Sequence, residues 1–372
     1  AVPTSIVDGY AVCSSDGPGE YPLIPTPSRA GGAAASAMSK GSVCYVTTGG
    51  PVPEGADAVV MVEDSEKLQD GRVRINKAAQ PRGMIREIGS DIEIGEKVLS
   101  SGDIIGPAEI GLLATVGAIQ AKVSPQPVVA ILSTGDELAE PDDQGPLRPG
   151  VVRDSNRAML IAACAAEGTR TLDMGIAKDT AEALEERFDA AIAQGADILV
   201  TSGGVSMGDR DLVKPLLQRR GVIHYGRVLM KPGKPLTCAT IETPDREGKP
   251  RLLVFGLPGN PVSSMVTFHL VVNPCIRKLK GYADPHLRRV RCLTSSPMKL
   301  DPERPEYHRV MLKWDDASGG FVGMSTGGQR SSRLMSMRSA NALLELPQAS
   351  GVLPTGSVVS ALIIGDLSNA DI

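Results

Sequence analysis

Residues 125–280 constrain the fold more than any other part of the chain. Apolar runs that read as buried strands alternate there with segments of helical period: PVVAILSTGDEL, DSNRAMLIAACAAEG, TRTLDMGIA, DTAEALEERFDAAIAQG, ADILVTSGGV and DLVKPLLQRRG. Two short strands follow, HYGRVLM and LTCATIE, then LLVFGLPGNP and a helix over 262–280. Strands that alternate with helices pair in parallel, because each crossover helix returns the chain to the starting edge of the sheet. The pattern predicts a three-layer α/β domain with a mostly parallel sheet. Local signals agree, since Asp154 or Ser155 can cap the first helix and Gly168 can stop it.

The flanks read differently. Residues 1–124 are β-rich and irregular, with β-branched runs (SVCYVTT, DAVVMVE, RVRINKA) between turn signals such as TGGPVPEGAD and QDGR. Residues 107–117, PAEIGLLATVG, read as a short helix with proline at its start and glycine at its end. From about residue 284 short strands return (RRVRCLTS, EYHRVMLKW, GGFVGMST, NALLELP, SVVSALII), predicting a C-terminal β domain. At 372 residues the chain exceeds one domain's usual share of roughly 100–200. The expected division is a linking subdomain of residues 1–15 and 88–124, a β-rich subdomain of 16–87, an α/β domain of 125–282 and a β domain of 283–372.

A net charge of −4 argues against nucleic acid as a partner, and 3% aromatic content leaves few platforms for stacking bases. The six cysteines (13, 44, 164, 238, 275, 292) form no C-x-x-C pair, which suits reduced thiols in a cytoplasmic protein. No membrane span is expected. The best apolar run, VSSMVTFHLVVNPCI, is too short, contains His269 and is broken at Asn273-Pro274. The opening AVPTSIVDGYAV carries no initiator methionine, as a fragment or processed chain would not.

Ligands of open parallel sheets bind at the carboxyl ends of the strands. Three loops leave such ends: STGDEL (133–138), TSGGVSMGDRD (201–211) and GLPGNPVSS (256–264). Each alone reads equally as a tight strand-to-helix turn. Three together, rich in glycine, small hydroxyls and proline, point to a small polar ligand bearing phosphate. Neither a Walker A loop nor a G-x-G-x-x-G fingerprint occurs, which disfavours an NTPase or a dehydrogenase. MKPGKP sets Lys231 and Lys234 three apart around a rigid turn, expected to present both ammonium groups to one side. With Asp209 and Asp211 they read as halves of a phosphate and metal site, since Mg²⁺ takes carboxylates plus ligand phosphates. Arg309, Arg333 and Arg338, with the serines of SSRLMSMRSAN, form either a tetrahedral-oxyanion site or a basic surface segment.

Taken in order, STGDEL, DSNR, TSGGVSMGDRD, MKPGKP, GLPGNPVS and SSRLMSMRSAN resemble the molybdenum insertases, or molybdopterin molybdotransferases. That family includes the bacterial enzyme and the E domains of gephyrin and of the plant cofactor-biosynthesis protein, the plant type looking most similar. The resemblance runs from IVDGYAV to VVSALIIG. It implies conversion of adenylylated molybdopterin and molybdate to molybdenum cofactor and AMP, with Mg²⁺. It also implies a homodimer of four-subdomain chains and a molybdopterin adenylyltransferase (G) domain as partner, fused or separate.

Carried over by motif, Asp211 binds metal and is catalytic, and Ser206, Lys231 and Lys234 contact phosphate or molybdate. Arg309 and Ser339, or alternatively Ser336, match the molybdate site. Asp136 and Glu137 match further metal-side acids. Gly203, Gly204, Asn260 and Ser263 shape the substrate pocket, while Asp8, Thr48 and Asp91 line the cleft. Members of the family carry a helical segment ahead of DGYA, which this sequence does not contain. Two other readings stand beside the insertase: a scaffold module of the gephyrin E-domain type, and the adenylyltransferase activity of the related G domain.

Overall fold

Every residue of strands β1 (Val128–Thr134) and β3 (Ile198–Ser202) is buried, as continuous apolar runs at the centre of a sheet require. The computed structural model describes residues 2–32, 35–205, 212–243, 248 and 250–368. It divides the chain into two units, residues 1–100 and 101–372. The second unit carries helix α1 (Pro107–Thr115), with proline in its first turn and Glu109 accepting the Gly106 amide at 2.9 Å.

Strands β1, β2 (Arg170–Ala177), β3, β4 (Gly221–Tyr225), β5 (Thr237–Glu242) and β6 (Arg251–Leu257) form one sheet in the order β2-β1-β3-β6-β5-β4. The first four in that order run parallel, and at the other edge β5 pairs antiparallel with both β6 and β4. No crossover helix separates β4 from β5, so the chain doubles back, as antiparallel pairing allows. The sheet is therefore mixed, parallel from the β2 edge through β6 and antiparallel at the opposite edge.

Both faces are covered. Helices α3 (Ala181–Ala193) and α4 (Val213–Arg220) pack Leu184, Phe188, Leu216 and Leu217 on one side. Helix α2 (Ser155–Ala166) packs Leu160 and Cys164 on the other, beside Phe268, Val272 and Ile276. Burying one such side chain contributes about 1.5–3 kcal/mol. Asp154 is the cap of α2, accepting the Asn156 and Arg157 amides at 3.1 Å. The helix expected over 262–280 is α5 (Pro261–Thr267) and α6 (Asn273–Leu279), joined by a π turn at Phe268–Val272.

Strands β7 (Arg289–Thr294), β8 (Glu306–Asp315), β9 (Gly320–Ser325), β10 (Ala342–Leu346) and β11 (Val358–Ile363) close a barrel in the order β7-β9-β8-β10-β11. Val310, Leu312, Leu344 and Ala361 fill it. Met230, Val262 and Val266 pack against Leu343 and Leu362, joining the barrel to the α/β layer. Residues 2–100 carry two three-stranded sheets, one ordered Cys44–Val46, Gly9–Val12, Ala58–Met61 and the other Gly19–Tyr21, Val73–Ile75, Ser65–Lys67. Among the described residues no helix is long and apolar enough to cross a membrane.

Candidate active site

The chain leaves β1 for β2 on one side, whereas β3 lies on the other side of β1. Loops from the carboxyl ends of β1 and β3 diverge at such a reversal and open a crevice. Here the crevice floor is glycine by necessity. Gly203 has φ +90°, and a Cβ there would stand 2.6 Å from the Thr134 carbonyl oxygen. At Gly204 (φ +65°) a Cβ would meet Thr134 Oγ1 at 2.8 Å. The third loop joins them, since a Cβ on Gly259 would lie only 3.7 Å from Gly203 Cα.

Asn156, at the start of α2, ties these loops together. Its amide donates to Ser202 Oγ and to the Gly259 carbonyl, both at 2.7 Å. Nearby, Ser133 Oγ, Thr134 Oγ1, Thr201 Oγ1 and Asn156 Oδ1 are buried without hydrogen-bond partners among the described residues. Buried polar atoms are nearly always paired, so such a cluster at the strand ends marks a place built for something polar.

Acids stand beside the crevice. Asp136 Oδ1 accepts the Asp179 amide at 3.3 Å, and the Glu137 carboxylate folds back over Gly135. Among the described residues no three His, Cys, Asp or Glu side chains converge into a metal cage. Two hard-oxygen donors fit the habit of Mg²⁺, which binds one or two carboxylates and completes its shell from phosphates and water. Asp211 and Ser206, with Asp209, lie outside the described residues.

Beyond Gly259 lies a cavity of about 600 Å³ lined by Lys231, Lys234, Asn260, Ser263, Arg304 and Arg330, with no carboxylate among its described lining residues. Both lysines of MKPGKP reach it, but their roles differ. The Lys231 ammonium pairs with Glu306 at 2.9 Å and Asp301 at 3.3 Å, and Arg304 lies 3.8 Å from Asp301. Burial pulls the Lys231 pKa down, yet its bonds to Glu306 and Asp301 outweigh that and hold it raised. Burial likewise pushes Glu306 up, and its bonds to His308 and Lys231 bring it below the usual carboxylate range. Two cations thus face two anions, while Lys234 and Arg330 make no ion pair among the described residues. Charge uncompensated among the described residues suits a dianion.

Arg309 is completely buried behind this wall. Its Nε and Nη2 donate to Ser336 Oγ at 3.3 and 3.2 Å, and Nη1 has no partner among the described residues. Burial lowers its pKa to about 10, with Glu306 opposing, so it stays charged at neutral pH. The serine brought to Arg309 is Ser336. Ser339 is exposed and makes no hydrogen bond among the described residues. The 3₁₀ turn Leu334–Ser336 decides this, because it turns Ser336 inward.

In the first unit Asp8 Oδ1 accepts the Thr48 amide at 2.6 Å and its hydroxyl at 3.1 Å. Exposed Asp91 pairs with Arg86 at 3.3 Å. Sequence reading missed Asn156, Arg304 and Glu306. DSNR was legible as a helix start, but nothing in it signals that its asparagine spans two loops.

Residues 1–117 match the MoeA N-terminal region (domains I and II), residues 130–278 a probable molybdopterin binding domain, and residues 291–364 the MoeA C-terminal region (domain IV). A Dictyostelium discoideum protein named gephyrin is 41% identical, the alignment covering 98% of this chain and 56% of that protein. The molybdopterin molybdenumtransferase of Haemophilus influenzae is 33% identical, with 96% and 86% covered. That of a Nostoc species is 37% identical, with 96% and 82% covered. The chain thus spans little more than half of the gephyrin relative but most of the bacterial ones. A solved Pyrococcus horikoshii molybdopterin biosynthesis MoeA protein superposes with a TM-score of 0.77 at 28% identity, covering 97% of this chain and 87% of its own.

Proposed function

The chain belongs to the molybdopterin molybdenumtransferase family, and on that premise we propose that it inserts molybdate into adenylylated molybdopterin, releasing molybdenum cofactor and AMP. The observation that carries this reading is the junction of two sites at Gly259 and Asn260. On one side is a glycine-floored crevice suited to a phosphate, and on the other a cavity with two cations, Lys234 and Arg330, that make no ion pair among the described residues. A dianion such as molybdate and the phosphates of an adenylylated pterin would meet there.

In this reading Lys234 and Arg330 hold the oxyanion, Lys231 adds an oriented N–H, and Arg309 with Ser336 supports the wall. Gly203 and Gly204 let backbone approach the phosphates, and Asn260 and Ser263 separate the two ligands. Asp136 and Glu137, together with Asp211 beyond the described residues, would hold Mg²⁺, which when bound neutralises charge on the phosphoanhydride. Fixed donors around both ligands lower the cost of bringing them together, which is the main lever available to a transfer enzyme of this kind. We further assign Asp8, Thr48 and Asp91 to a cleft completed in a cytoplasmic homodimer, with the substrate delivered by a molybdopterin adenylyltransferase. No observation favours the scaffold reading over this one.

The experiment is to mix purified protein with adenylylated molybdopterin, molybdate and Mg²⁺. Molybdate-dependent AMP release is expected, with loss of most of it in Asp211→Asn. Absence of AMP, or equal release by that variant, refutes the catalytic assignment.

A further inference from the structure

Lys231 stands on a wall shared by two cavities. One is the basic cavity. The second, of about 440 Å³, is lined by Lys299, Asp301, Glu306, His308 and Ser325, and Gln329 borders both. Glu306 sits in that wall with its side chain 5% exposed and both carboxylate oxygens engaged. Oε2 takes the Lys231 ammonium at 2.9 Å, and Oε1 faces His308 Nδ1 at 3.1 Å. With Glu306 ionised, Nδ1 donates to it, and Nε2 is hydrogen-bonded to the Ser325 hydroxyl at 2.9 Å. The carboxylate cannot turn without breaking one of these bonds.

The backbone of Lys231 is held as firmly. Its amide donates to the Pro305 carbonyl at 2.9 Å, and its carbonyl accepts the Tyr307 amide at 2.7 Å. An ammonium has three N–H donors. Glu306 and Asp301 occupy two, leaving one for the basic cavity that Lys231 lines. A free lysine would lose the freedom of a four-carbon stem on binding an anion, a cost that prior fixing removes.

We propose that Glu306 is a positioning residue for oxyanion binding, acting through Lys231, backed by the relay Ser325–His308 and assisted by Asp301. The inference rests on the reading of the basic cavity as the oxyanion site. It runs against simple electrostatics. If Glu306 acted only through its charge, neutralising it would tighten anion binding, whereas loss of positioning weakens it.

The test measures AMP release against molybdate concentration, and titrates molybdate alone onto the protein, for the full chain and its variants. Glu306→Gln should raise the molybdate KM and Kd about tenfold, the equivalent of one charge-assisted hydrogen bond, with kcat within about twofold. Asp301→Asn, nearer the surface, should give a smaller rise in the same direction and serves if Glu306→Gln does not fold. In a Lys231→Ala background the Glu306→Gln change should add nothing further. Unchanged or tighter molybdate binding by Glu306→Gln overturns the proposal, as does an undiminished effect of that change in the Lys231→Ala background. Failure of the wild-type chain to bind molybdate would instead overturn the reading of the cavity.

Discussion

Replacing Asn156 by alanine probes the joint between the strand-end loops. The side chain is buried and its amide makes two 2.7 Å hydrogen bonds, to Ser202 Oγ and the Gly259 carbonyl. Each such bond is worth roughly 0.5–1.5 kcal/mol net, and the orphaned Gly259 carbonyl adds a desolvation cost. Loss of Oδ1 relieves a little, because that atom lacks a partner among the described residues. The sum is about 2 kcal/mol, which for a unit of this size lowers Tm by roughly 4–8 °C. Asn156→Asp should be worse at pH 7.5 despite its equal size. It sets a carboxylate against the Gly259 carbonyl, two acceptors facing in a buried site. That environment raises the carboxyl's folded-state pKa, so its stability is present when protonated and lost as pH rises, and the Asp variant should recover on acidification.

Calorimetry is the suitable assay, because the chain's single tryptophan, Trp314, lies in the barrel and reports poorly on the crevice. The KM for adenylylated molybdopterin should rise in parallel. Both variants matching wild type within about 0.5 kcal/mol, or Asp milder than Ala at pH 7.5, would refute the role of Asn156.

Three further outcomes are expected. Gly203→Ala, at φ +90° and 2.6 Å from the Thr134 carbonyl, should cost about 2 kcal/mol or more and impair substrate binding, whereas Gly117→Ala, at φ +75° with nothing within 4 Å, should cost only about 1. Lys234→Ala, exposed at the basic cavity, should weaken molybdate binding about tenfold and leave Tm within about 2 °C. His269, its pKa lowered to about 4 chiefly by burial, stays neutral in the fold but protonates when unfolded. Its contribution is full above the unfolded value near 6.5 and falls with pH, by about 2 kcal/mol at pH 5, so denaturant midpoints should drop less in His269→Gln.

The α/β layering was legible because strands β1 and β3 are short unbroken apolar runs and α2 and α3 repeat at helical spacing. The antiparallel edge was not, since HYGRVLM and LTCATIE carry no mark of direction. Barrel closure, with β7 parallel to β9, depends on pairings that local sequence does not encode. Within the site, glycines and lysines announced themselves through spacing and composition. Ser336 and Ser339 are chemically the same in SSRLMSMRSAN, and only a 3₁₀ turn separates the buried one from the exposed one. Glu306 was hidden for another reason: its partner Lys231 is remote in sequence, and an acid in a Pro-rich charged stretch looks solvated until the barrel packs on the α/β layer.

The most direct measurement locates the oxyanion. Crystals soaked in molybdate and measured at the molybdenum absorption edge should give a strong anomalous peak inside the basic cavity, within hydrogen-bond reach of Lys234 Nζ and the Arg330 guanidinium. A peak confined elsewhere, or an empty cavity at molybdate concentrations that saturate AMP release, would contradict the account.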